Sequence, residues 1–142
     1  MGKKFEFEIE AMGKPRMTRS DQWRTKGHHE PRKRMRKCVE RFWSYKDALK
    51  KEASKNCFVM PESNYHLTFI LPISQSWSKK KKAAMIGKPH RMKPDKDNLE
   101  KGFLDSILKE DSVVWDGRVT KLWGEKGKII FEFLDEEERK AA

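Results

Sequence analysis

Apolar and acidic residues alternate with period two in Phe5-Glu-Phe-Glu-Ile-Glu-Ala11, which predicts a strand buried on one face and ended by Gly13 and Pro15. Val39, Phe42, Trp43, Leu49 and Ala53 recur at helical spacing and predict a helix over about 38–55, with Lys46, Lys50, Lys51 and Lys55 on its polar side. Tyr65, Leu67, Phe69 and Leu71 alternate with His66, Thr68 and Ile70, a second strand that Pro72 closes. Ser76 or Ser78 can cap a short helix from Lys79 to Met85, which Gly87-Lys-Pro89 breaks. A third helical run begins at Asp97, with Leu99, Phe103, Leu104, Ile107 and Leu108 as its apolar positions. Beyond it, Val113-Val-Trp115 reads as a short strand and Asp116-Gly117 as a turn. Val119 to Trp123 and Lys128 to Phe133 read as two further strands, joined by Gly124-Glu-Lys-Gly127.

Two stretches lack either period. From Lys14 to Lys37 ten basic residues meet two acidic ones, which reads as a long, mobile, basic loop. Residues 135–142 read as a charged, frayed tail. With no repeat and no linker, the chain is predicted to be a single α+β domain over 1–142. Its strands are expected in a mixed or antiparallel sheet with the helices packed against it.

A chain of 142 residues suits one hydrophobic core but not two. Its net charge of +11 points to a polyanionic partner, with nucleic acid as the default. A membrane is disfavoured, because no basic amphipathic helix stands apart from the core elements and no stretch is apolar enough to span a bilayer. Two cysteines, Cys38 and Cys57, and no apolar signal segment predict a reduced, cytoplasmic setting. In the basic loop, Lys14, Arg16, Arg19, Arg24, Arg32, Lys33, Arg34, Arg36 and Lys37 are the candidate phosphate contacts, and Trp23 could stack on an exposed base. The competing reading is a solvated charge run with no partner. The four lysines at 79–82 divide the same way, between phosphate grip and solubility.

Candidate chemistry concentrates in Lys93-Pro-Asp-Lys-Asp-Asn-Leu-Glu-Lys101. Lys93 precedes a proline and is biased to extended geometry, which predicts a straight approach as far as Asp95. Asp97 is the expected N-cap, with Glu100 completing a capping-box-like pair. Asp97, Lys101 and Asp105 follow at successive i, i+4 positions and share one stripe of the helix. Two carboxylates one residue apart at such a junction can converge on a hard divalent cation. The bland alternative is that Asp97 only caps and Lys101 only pairs with its neighbours. A calcium loop would need Gly and Glu where the chain has Glu100 and Ser106. Zinc would need short paired spacings that Cys38, Cys57, His28 and His29 lack.

Pro94-Asp95-Lys96-Asp97-Asn98-Leu99, followed by Lys101, Asp105 and Asp116, resembles the signature of the RusA-type Holliday-junction resolvases. The likeness is sharp over 93–126, and it departs at Trp115, where an acid usually precedes the last aspartate. It implies a single RusA-like domain acting as an endodeoxyribonuclease on branched DNA, such as four-way junctions, in recombination and repair. It implies Asp95, Asp97 and Asp116 as metal-binding acids for Mg²⁺, with Mn²⁺ as a substitute, and Lys101 as the catalytic lysine. Asp105 belongs to the motif either directly or by orienting Lys101, and Lys126 falls where many members carry a lysine. A homodimer is also implied, and Trp115, Leu122, Trp123 and Ile130 offer apolar surface for it. Without the likeness, Asp116-Gly117 is an ordinary turn. Two function classes remain: a metal-dependent nuclease making symmetric cuts, and a non-catalytic basic nucleic-acid-binding module.

Overall fold

The alternation in Tyr65–Pro72 builds the centre of a four-stranded sheet. The computed structural model describes residues 3–16 and 37–134. Arg19, Trp23, Arg24, Arg32, Lys33, Arg34, Arg36 and the tail from 135 lie outside the described residues, as do the expectations placed on them. The elements are β1 (Lys4–Phe7), α1 (Lys37–Lys55), β2 (Tyr65–Pro72), α2 (Lys79–Met85), α3 (Lys96–Ile107), β3 (Arg118–Gly124) and β4 (Lys128–Phe133). The sheet order is β1-β4-β2-β3. β4 pairs antiparallel with both β1 and β2, while β3 lies parallel to β2, so the sheet is mixed and the fold is α+β, as expected.

Period two sorts the sheet into two faces. Phe7, Leu67, Phe69, Ile129 and Phe131 are fully buried on one face, where α1 contributes Phe42 and Leu49 and α3 contributes Leu99 and Phe103. Aromatic rings dominate this core in edge-on and stacked pairs, with Phe131 4.8 Å from Phe58 and 5.4 Å from Tyr65. On the opposite face Ile70 pairs with Leu122, and Ile130 with Thr68; the three aliphatic side chains are half-buried.

Several local expectations are corrected. β1 stops at Phe7, opposite Ile129, one residue from the start of β4. Val113-Val-Trp115 is not a strand: Asp111–Val113 is a 3-10 turn, and Trp115 N–H donates to the Glu62 carbonyl. Asp116-Gly117 therefore opens no hairpin and instead leads into β3, which is parallel to β2. Trp115 is exposed as anticipated, but Trp123 is buried between Trp77 and His90. In α1 it is Tyr45, not Trp43, that joins the core. The approach to α3 is bent at 92–94, with a cis Lys93–Pro94 peptide, rather than straight.

Candidate active site

Two clefts meet where α3 starts and β3 begins. Gly87 to His90 runs along the outer edge of β3, with His90 N–H donating to the Lys121 carbonyl and Trp123 N–H to that of Lys88. This covers the edge strand and delivers the chain to α3 beside the sheet. Asp95 is the N-cap of α3, not Asp97, and Leu99 N–H donates to its carbonyl at 3.0 Å. The capping box anticipated from Asp97 and Glu100 does not form: Asp97 lies within the first turn of α3, and the Glu100 carboxylate accepts from Tyr65 instead. Both Asp95 and Asp97 line a cleft of about 560 Å³ together with His90, Lys93, Lys96 and Lys121. The helix N-terminus favours negative charge at this place.

Asp116 lines the adjoining cleft, of about 460 Å³, with Tyr65, Lys96 and Arg118. Lys96, Val119 and Thr120 belong to both clefts, so the aspartate pair and Asp116 stand on either side of a shared wall. Gly117 is required by close approach, since a Cβ there would lie 2.1 Å from the Tyr65 ring. The Tyr65 hydroxyl donates to Glu100 Oε2 at 2.6 Å. Burial, then Glu100, then Asp116 hold its pKa well above the usual phenol range, so it remains a donor. An all-carboxylate donor set suits Mg²⁺, and two carboxylates in one cleft are enough for an ion that keeps several waters. Among the described residues, no three His, Cys, Asp or Glu side chains are already gathered around one point.

Lys101 lies on the polar side of α3, one turn beyond Asp97. Its ammonium is 3.4 Å from Asp111 and 3.9 Å from Asp105. Asp105 therefore pairs with Lys101 as anticipated, but it also binds Lys14 Nζ. The Asp105 carboxyl and then the Lys101 ammonium hold Asp111 below the usual carboxylate range. Lys14, Lys46, Lys50 and Lys109 line a groove of about 440 Å³ beside Trp43 and Asp105. Burial, followed by repulsion from Lys50, lowers the Lys46 pKa there. Within the basic segment, Arg16 is the last residue described before Lys37, which begins α1. Lys126 is exposed in the β3–β4 turn, at the far end of a seven-residue strand from Asp116. That length is about 20 Å, so the structure does not bring Lys126 to the acids.

Sequence reasoning missed Tyr65, Glu100, His90, Asp111 and Lys121, all of which act through partners distant along the chain. His90 is buried, its ring 4.2 Å from that of Trp123, and its Nδ1 has no hydrogen-bond partner among the described residues. Burial first, then the Lys121 ammonium, lowers its pKa below 6.5. The unfolded chain therefore binds the proton more readily than the folded one. The stability contribution of neutral His90 is complete above about pH 6.5 and is lost as pH falls through the lowered folded value. His90→Phe should flatten this fall, read as a smaller difference in denaturant midpoint between about pH 7.5 and about pH 5. An equal difference in both proteins would show that His90 does not titrate.

No helix among the described residues is long and apolar enough to cross a membrane. Compared with known proteins, residues 7–132 of the chain match the family model described as Endodeoxyribonuclease RusA. No curated protein matches it.

Proposed function

Since the chain belongs to the RusA endodeoxyribonuclease family, we propose that it is a divalent-metal-dependent nuclease that cuts four-way DNA junctions symmetrically as a homodimer. The observation that carries the reading is the placement of Asp95 and Asp97 in one cleft, with Asp116 across the wall formed by Lys96. These three aspartates would hold Mg²⁺, or Mn²⁺ in its place. Bound there, the ion supplies Lewis acidity and an activated water for phosphodiester hydrolysis.

The chain's own side chains do the rest. Lys101 binds a non-bridging oxygen of the scissile phosphate and offsets the charge that develops on it. Asp105 and Asp111 hold its ammonium until the phosphate arrives. Lys14, Lys46, Lys50 and Lys109, with the basic positions of 14–37, bind the backbone of the arms. Neutralising Arg32, Lys33, Arg34, Arg36 and Lys37 together should flatten the dependence of log K on log salt by a few units, at about 0.9 per phosphate contact. An unchanged slope would move the contact to the 440 Å³ groove or to the lysines at 79–82.

Two symmetric cuts require two copies of a single site, and a C2 dimer matches the two-fold axis of the junction. Ile70, Leu122 and Ile130, half-buried on the sheet face away from α1 and α3, suit such a contact. A synthetic four-way junction incubated with and without Mg²⁺ is the decisive test. Paired nicks only with the metal, from a species that sediments as a dimer at micromolar concentration, are expected. Binding without cleavage would leave a nucleic-acid-binding module, and a monomer making one nick per junction would exclude symmetric resolution.

A further inference from the structure

Among the described residues, Lys121 ties the segment that leads into the aspartate pair to the strand following Asp116. Its ammonium donates to the carbonyl oxygen of Met92 at 2.7 Å and to that of Pro94 at 2.7 Å. Its own carbonyl accepts from His90 N–H at 3.0 Å. A single residue of β3 thus grips the chain at positions 90, 92 and 94, immediately before Asp95. Between His90 and the first turn of α3 the main chain belongs to no strand or helix, so it depends on side chains for its path. Lys121 is in register with Phe69 at the middle of a parallel pair, on a strand anchored by β2 along its whole length. Lys121 also lines the cleft that holds Asp95 and Asp97.

We propose that Lys121 is a positioning residue that fixes the Asp95–Asp97 pair relative to Asp116, and so sets the spacing at which the acids take up a divalent cation. This rests on the metal-dependent reading above. Asp95 follows directly on the Pro94 carbonyl, so a bond to that oxygen fixes where its Cα sits. Asp116 lies two residues before β3, the strand that carries Lys121. Holding both acids to one strand removes the freedom that would otherwise separate the two clefts.

The test uses the full chain without DNA. Backbone ¹⁵N relaxation of residues 92–97 is measured without metal, and Mn²⁺ affinity is measured by calorimetry. In wild type these amides should be rigid, with order parameters near about 0.85; in Lys121→Met they should fall below about 0.6 while β2 and β4 stay rigid. Mn²⁺ affinity should weaken about 10- to 100-fold, the usual effect of losing a group that holds metal ligands in place. Lys121→Arg, which can still donate to both carbonyls, should restore both properties. If Lys121→Met does not fold, Lys121→Gln, neutral and too short for both oxygens, replaces it. Unchanged Mn²⁺ affinity in the variant, with wild type binding, overturns the proposal whatever the relaxation shows. Should wild type bind no Mn²⁺, the metal reading falls, and loss or retention of order at 92–97 alone supports or overturns the positioning role.

Discussion

Asp97→Asn protein is expected to bind a four-way junction as wild type does and to cleave it about a thousandfold more slowly, a loss of about 4 kcal/mol of transition-state stabilisation. Asparagine keeps the shape of the side chain and one carbonyl oxygen but removes the charge that a hard cation requires. Asp97 sits in the first turn of α3 and makes no cap bond of its own, since Asp95 occupies the N-cap. The substitution therefore removes no helix-capping bond, and a modest loss of helix-dipole interaction, about 0.3–1 kcal/mol, bounds the effect on stability. Binding survives because it depends on lysines and arginines elsewhere. Single-turnover cleavage of a labelled junction, with a binding isotherm on the same preparation, separates the two quantities. Wild-type cleavage with unchanged metal dependence would remove Asp97 from the metal site and leave it an acid that merely favours a helix start.

The parts of this molecule that depend on neighbours in sequence could be read from it, and the parts that depend on distant partners could not. Period two in Tyr65–Pro72 and the helical spacing of Leu99, Phe103 and Leu104 are local signals, and both elements are where they indicate. Asp95 and Asp97 share a cleft because they flank one helix start, which is also local. The parallel pairing of β2 with β3 is different: α2, α3 and their connections intervene, and no residue pattern distinguishes a parallel from an antiparallel neighbour there. The capping box expected of Asp97 and Glu100 was likewise lost to a distant partner, because Tyr65, 35 residues earlier, takes the carboxylate of Glu100. Lys121 was invisible for the same reason, since the carbonyls it holds lie 27 and 29 residues before it. Asp-Gly at 116–117 misled because the glycine answers to the Tyr65 ring, not to a hairpin.

Lys101→Ala should slow cleavage about 10²- to 10³-fold while leaving junction affinity and folding nearly unchanged. In the free protein the Lys101 ammonium rests between Asp111 and Asp105, and the side chain is 54% exposed. An ion pair so open to water contributes at most about 1 kcal/mol, so releasing it to a phosphate costs little. The stem starts one helical turn past Asp97, which leaves the head free to turn from the two carboxylates toward the substrate. Binding spreads over many lysines and arginines, so one fewer changes it slightly, whereas the charge developing on the reacting phosphate is offset by the cation that touches it. The loss should therefore appear in the single-turnover rate and not in the binding isotherm, and Lys101→Arg should recover part of it. Asp111→Asn supplies the control: it frees Lys101 from one partner without removing the ammonium, and cleavage should fall far less than in Lys101→Ala. A folded Lys101→Ala protein that binds and cleaves at the wild-type rate would return this lysine to a surface ion pair, and the catalytic charge would then have to come from another cation lining the clefts, Lys96 or Lys93 first.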